Sequence, residues 1–297
     1  MEKYGMTIGL GILMGTLARA YMLRSDYRQY PGYPHGFVTH LCLGFIAAAL
    51  GSVALPSIAE KQYAAVTFLA LAAQQFRDVR NMERESLAAL EDAELVPRGK
   101  DYIEGIARVF EARNYLVIVT ALITSSVNYY THWPLLSIIA GLIFIALLEY
   151  LMKGKVIGQI ADVKPGKLSF DGALLKVDEI DIMNVGLPQM REKILSDGLG
   201  VTIHPKNDNA RATLSNMGQR QAMANVAVAI LGTKKDVDIP EFTPIVRKNV
   251  DVGSIALFLV PSEKDIGSLV AAVSRVPVLE SARRAPLKTK AGRIAAD

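Results

Sequence analysis

The sequence predicts an α-helical membrane bundle of about five transmembrane helices, followed by a cytosolic α/β domain with a small β-rich cap and a ferredoxin-like βαββαβ core. Three observations lead there. Hydrophobic residues make up 51% of the 297-residue chain, yet 21% of it is charged and the mean hydropathy is +0.25. That mix fits a membrane half joined to a soluble half better than one uniform domain. Long apolar runs fill the chain up to Lys153 and stop there. Beyond Lys153, short β-patterned runs alternate with helical ones.

Five apolar segments define the expected bundle: Gly5 to Leu23, Gly36 to Leu55, Tyr63 to Phe76, Tyr115 to Tyr130 and Pro134 to Met152. Crossing a bilayer takes about 20 apolar residues in a helix, and the third segment is short by that measure. The first is followed by Arg24 and Arg28 rather than a cleavage site, so it reads as a retained anchor. Seven basic residues lie between Arg77 and Arg113, and Lys153 and Lys155 follow the last segment. If basic loops stay in the cytoplasm, five crossings place the N-terminus outside and the C-terminal domain inside the cell membrane. Lys3 and Lys61 then fall on the outer side. The expected domains are residues 1–152 (with a cytoplasmic loop at 77–113), a β-rich subdomain at 153–186, the ferredoxin-like domain at 187–280, and a disordered basic tail at 281–297.

Small residues recur in the first segment as Gly5-x-x-x-Gly9 and Gly11-x-x-x-Gly15. That spacing lets helix backbones approach closely. It suits packing within the bundle, with a homo-oligomer seam as the other reading. Tyr129, Tyr130, His132 and Trp133 fit an aromatic interfacial belt. No segment carries a charge clearly at its centre, which argues against a proton-coupled transporter.

Chemistry-bearing motifs are few. The lone Cys42 excludes an internal disulfide and a cysteine-based zinc site. The four histidines, His35, His40, His132 and His204, show no metal-binding spacing, so no metal and no cofactor is expected. A nucleic-acid partner is not expected either. The net charge of +4 comes wholly from the tail, where Arg283, Arg284, Lys288, Lys290 and Arg293 face Asp297 alone. A basic tail near a bilayer is drawn to anionic membrane lipid, although such a run is more often simply solvated.

Between the third and fourth segments, Asn81 to Leu95 reads as an amphipathic helix that Pro97-Arg98-Gly99 breaks. A new helix then starts near Asp101. Ile103, Ile106, Ala107 and Phe110 line one face, while Glu104, Arg108 and Glu111 line another. The string Tyr102-Ile103-Glu104-Gly105-Ile106-Ala107 resembles the signature of the YIEGIA family of endospore-forming bacteria, as does Ala18 to Pro31. The resemblance covers most of the chain. It implies a bacterial membrane protein tied to sporulation and assigns no catalytic residue. Tyr102, Glu104, Gly105, Arg108 and Glu111 are therefore candidate contacts to a protein partner. The plainer reading is an interfacial helix with a charge stripe.

In the soluble half, Val156 to Val163, Lys167 to Phe170, Ala173 to Val177 and Ile180 to Val185 read as short strands. From Leu199 the pattern runs strand, one long helix over Asp208 to Leu231, a hairpin around Asp251-Val252-Gly253, a helix over Glu263 to Arg275, and a closing strand at Val276 to Leu279. That is the ferredoxin-like order. His204, Lys206 and Asn207 form a polar turn before a helix, which reads either as a place for an anionic effector or as an ordinary cap. Asp178, Glu179 and Asp181 read as turn surface.

These observations point to a sporulation-associated membrane protein, a non-enzymatic regulator or scaffold whose cytosolic domain binds a protein partner or small effector. The alternative is a membrane-associated hydrolase or protease controlling turnover of a sporulation protein, with Ser125, Ser126, Glu104, Arg108 and His132 as its polar groups. On the expected topology His132 and Glu104 lie on opposite sides of the membrane and share no site.

Overall fold

The structure is a computed structural model and describes residues 4–26, 34–91, 96–152, 154–236 and 239–295. Lys3, Arg28 and Lys153, which entered the orientation argument, lie outside these residues, as do the ends of the Asn81–Leu95 and Ala18–Pro31 segments. The chain divides into two compact units. One comprises Met1–Glu85 and Ile106–Lys153; the other comprises Ser86–Gly105 and Gly154–Asp297.

The helical unit is built from α1 (Gly5–Asp26), α2 (Pro34–Ala59), most of α3 (Tyr63–Glu91), most of α4 (Lys100–Thr131) and α5 (Pro134–Met152). Among the described residues, two of these are long and apolar enough to cross a membrane, over Gly5–Arg24 and Gly36–Ala59. This corrects the expectation of about five crossings. In α3 the apolar start gives way to Arg77, Asp78, Arg80, Glu83, Arg84 and Glu85 within the same helix. In α4 the first turns carry Glu104, Arg108, Glu111 and Arg113 before the apolar part begins. In α5 the apolar stretch Pro134–Tyr150 is too short. The orientation built on five crossings falls with them.

Glycine decides how α1 packs. A Cβ on Gly11 would stand 2.4 Å from Ser52 Oγ, and one on Gly15 would stand 2.6 Å from the Ala48 Cβ and 3.0 Å from the Ala121 Cβ. Gly5 and Gly9 face open space. The second glycine pair therefore seats α1 against α2 and α4. Around that seat lies a core of Ala18, Met22, Ala47, Ala48, Phe76, Val117, Ala121 and Leu148. On the outside, Leu13 and Leu17 of α1, Phe45 and Ile46 of α2, and Leu142 and Ile143 of α5 are exposed.

In the α/β unit, a short helix α6 (Ile157–Ile160) leads into β1 (Ala161–Gly166), β2 (Leu168–Asp171), β3 (Leu174–Val177), β4 (Ile180–Asn184), α7 (Pro188–Asp197) and β5 (Leu199–Pro205). Then come α8 (Asp208–Leu214), α9 (Met217–Leu231), β6 (Lys235–Asp236), β7 (Ile239–Pro240), β8 (Ile245–Lys248), β9 (Ile255–Leu259) and α10 (Ile266–Arg275). One antiparallel sheet has the order β1-β5-β9-β8, a second has the order β2-β3-β4, and β6 pairs with β7.

This is not a clear ferredoxin-like core. Val276–Leu279 forms no closing strand and leaves a single bridge, from Val156 to Pro277. Pro277 has no N–H to donate to a ladder, and β1 occupies the place beside β5, paired antiparallel from Ala161↔Pro205 to Gly166↔Gly200. The long helix expected over Asp208 to Leu231 breaks at Ser215–Asn216. Ser215 Oγ donates back to the Arg211 carbonyl at 2.7 Å, and Asn216 caps α9 by accepting from Gln219 N at 3.0 Å. Both residue types favour such local bonds over a helix interior.

The β-rich segment shares a core with the larger sheet. Leu175, Val177, Ile180, Ile182 and Val185 pack with Ile194 of α7 and with Ala256, Phe258 and Val260. The alternate residues Ile255, Leu257 and Leu259 are buried too, as period-two geometry requires of a strand covered on both faces. The stretch expected as a disordered tail carries two 3₁₀ turns (Glu280–Ala282 and Pro286–Lys288) and a short α11 (Lys290–Ile294).

Replacing Gly15 with leucine should destabilise the helical unit by about 1–3 kcal/mol through overpacking, whereas Gly9→Leu should change it by less than about 0.5 kcal/mol. Thermal unfolding of the two variants in detergent compares them directly. Equal losses would show that α1 does not use the second pair as its seat.

Candidate functional site

Two polar constellations stand out, one in each unit. The first holds the family-like string Tyr102 to Gly105 in place. Within the α/β unit, α9 presents Gly218, Gln221 and Asn225 along one face, at spacings of three and four residues. Gln221 Oε1 accepts from Tyr102 N at 3.0 Å, and Asn225 Nδ2 donates to the Val96 carbonyl at 3.1 Å. A Cβ on Gly218 would stand 2.7 Å from the Asp101 carbonyl oxygen, so only glycine lets the start of α4 lie this close to α9.

Glu91 braces the turn before α4. It accepts from Arg98 Nη1 and from Gly99 N, each at 3.0 Å. Gly99 itself has φ +87°, which suits glycine. Tyr102 and Ile103 are buried. Burial pushes the Tyr102 phenol above its ordinary pKa, and Arg98 draws it partly back. Gly105 faces Ser281, whose Oγ lies 2.7 Å from where a Cβ would stand. One residue along α9 from Gly218, Gln219 holds a second segment. Its Nε2 donates to the Pro277 carbonyl at 3.1 Å and its Oε1 accepts from Leu279 N at 2.7 Å.

The second constellation is in the helical unit. Arg19 of α1 is fully buried, and its Nη2 lies 2.9 Å from His40 Nδ1. The other ring nitrogen, Nε2, lies 3.6 Å from Glu83 Oε1. Phe110 closes the group, with its ring 4.5 Å from the His40 ring and 5.5 Å from the Arg19 guanidinium carbon. A guanidinium only donates, so Nδ1 accepts and the ring proton sits on Nε2, facing Glu83. Gly44 makes room for the arginine, since a Cβ there would stand 2.4 Å from Arg19 Cγ. A His–carboxylate pair is the orienting half of a general base, but the position where a nucleophile would stand is taken by Arg19.

The remaining sequence-predicted residues are dispersed. Glu104 is half-buried and Arg108 is exposed. Glu111 pairs with Arg80 at 3.5 Å and accepts from the Tyr115 hydroxyl at 3.4 Å. His204 Nδ1 lies 3.0 Å from Ser254 Oγ. Lys206 donates to the Gly158 carbonyl at 3.1 Å and pairs with Asp162 at 3.4 Å. Asn207 caps α8 by accepting from Ala210 N at 3.0 Å. Ser125 bonds the Leu122 carbonyl of its own helix at 3.0 Å. Among the described residues, no three His, Cys, Asp or Glu side chains are placed to hold a metal ion.

Sequence reasoning missed Gln219, Gln221, Asn225 and the Arg19–His40–Glu83 grouping. The amides were readable as polar positions, beside Arg220, on a largely apolar helix. The grouping draws on three helices and has no local spacing to betray it.

Comparison with known proteins gives a consistent picture. A family model described as "YIEGIA protein" matches residues 7–289. The chain is 45% identical over 287 residues to "Uncharacterized protein YphB" of Bacillus subtilis (strain 168), covering 96% of each chain. No solved structure matches.

Replacing Gln221 with alanine leaves the Tyr102 N–H with the Gly99 carbonyl as its remaining acceptor. The loss should be about 0.5–1.5 kcal/mol, read as faster amide hydrogen exchange at Tyr102 and Ile103. Replacing Glu83 with alanine should cost the helical unit more, about 3–5 kcal/mol, because it leaves a buried charge group incomplete. Unchanged thermal unfolding in Glu83→Ala would mean that the grouping is not a unit.

Proposed function

The chain belongs to the YIEGIA family, and from that premise we propose that it is a membrane-attached, sporulation-associated regulator or scaffold without enzymatic activity, whose α/β unit binds a protein partner or small effector. The observation that carries this reading is the use made of the family string itself. Tyr102 and Gly105 are seated against Gln221 and Ser281, so they position a helix rather than line a reactive centre. Helix α4 begins in the α/β unit and continues in the helical unit, so a partner bound to one unit acts on a segment that is covalently part of the other.

Membrane attachment is supported by the two helices of membrane-crossing length and by the exposed apolar side chains of α1, α2 and α5. The link to sporulation is what the resemblance of the Tyr102–Ala107 string implies. One observation favours the second reading, a hydrolase acting on a sporulation protein: the His40–Glu83 pair. Against it stands Arg19, which occupies the ring nitrogen that a base would need.

A crosslinking pull-down from sporulating cells separates the two. The tagged wild type is compared with His40→Gln and Glu104→Gln at matched abundance. The regulator reading expects one stoichiometric partner, intact and retained by the wild type and by His40→Gln alike. A protein trapped by a variant but cleaved or depleted in the wild type would replace it with the hydrolase reading.

A further inference from the structure

We propose that the C-terminal segment of the α/β unit is an ordered docking surface for anionic phospholipid headgroups. Arg283, Arg284, Lys288, Lys290 and Arg293 are all exposed. Residues 281–295 contain no acidic side chain to neutralise them. A run of like charges on a free tail is usually just solvated, but here the backbone carrying the charges is fixed. Arg284 N donates to Thr213 Oγ1 at 3.2 Å, and Leu287 N donates to Asn209 Oδ1 at 3.0 Å, so α8 holds the segment at two points.

Local bonds then set the last turns. Thr289 Oγ1 accepts from Gly292 N at 3.0 Å, capping α11. Gly292 lies so close to the Pro286 carbonyl that a Cβ would stand 2.1 Å from its oxygen. The result is a compact cationic surface with an apolar tip, Ile294, which is 75% exposed. A fixed backbone lowers the ordering cost of binding, and cations with an adjacent apolar side chain match the interface of an anionic bilayer.

The inference rests on the membrane attachment proposed above, because the two helices of crossing length supply the bilayer. Lipid is the occupant that charge complementarity and this attachment favour together. An acidic protein partner is the outcome that would displace it.

The test uses the full chain reconstituted into nanodiscs of phosphatidylcholine alone or of phosphatidylcholine mixed with phosphatidylglycerol. Hydrogen exchange of the peptide covering residues 281–295 is the readout. The expected result is exchange slower by at least about tenfold in the anionic discs, since each basic residue near such a surface adds roughly fivefold to binding. The difference should vanish in about 1 M salt, where the screening length falls to about 3 Å. It should also shrink in the combined variant Lys288→Gln, Lys290→Gln, Arg293→Gln, whose exposed positions leave the fold intact, and an undiminished difference would place the contact elsewhere. Equal exchange in both kinds of disc overturns the lipid surface while leaving membrane attachment standing. A chain that fails to enter discs of either composition overturns both.

Discussion

The α/β unit depends on one helix bonding segments that are far apart in sequence. Gln219 and Gln221 are two residues apart on α9, so they point in different directions. One holds Pro277 and Leu279, and the other holds the start of α4 at Tyr102. Each is a side-chain bond to a backbone group, worth about 0.5–1.5 kcal/mol net, and Tyr102 N also donates to the Gly99 carbonyl at 3.1 Å. The segment 86–105 belongs to this unit although the chain reaches it from helices of the other.

This arrangement gives the family string a physical meaning. Tyrosine supplies a large buried side chain, isoleucine fills the apolar face, and glycine allows Ser281 to come close. A glycine in a helix interior costs about 1 kcal/mol relative to alanine, and the close approach at Gly105 accounts for accepting that cost. The glutamate of the string is half-buried. The string is thus chiefly an instruction for assembling one unit.

The Arg19–His40–Glu83 grouping applies a different constraint. Burying a guanidinium is costly unless it is paired, and here the histidine ring bridges it to a carboxylate while Phe110 covers both. Such a grouping is weak evidence for stability but strong evidence for one arrangement of helices, because any other leaves a charge unmatched. It ties α1, α2, α3 and α4 to one packing, while Gly11 and Gly15 set the distance between α1 and its neighbours.

By itself the sequence determined the two long apolar helices, the change of character near Lys153, the β8–β9 hairpin and the buried face of Ile103, Ile106, Ala107 and Phe110. These follow from periodicity and local residue preference, which act over a few residues. The family was legible for the same reason, in six consecutive residues. Tertiary structure decided the rest. Apolar runs of similar appearance in α3, α4 and α5 are joined within one helix to charged turns or stop short, and only the full helix shows how much of it is apolar. The place beside β5 went to β1, which pairs with it along six residues, rather than to Val276–Leu279, and only the folded chain shows which distant segment lies there. Gln221 met Tyr102 across 119 residues, and Arg19 met His40 across 21. No spacing rule reaches that far; only the burial of each group, and its need for a partner, joins them.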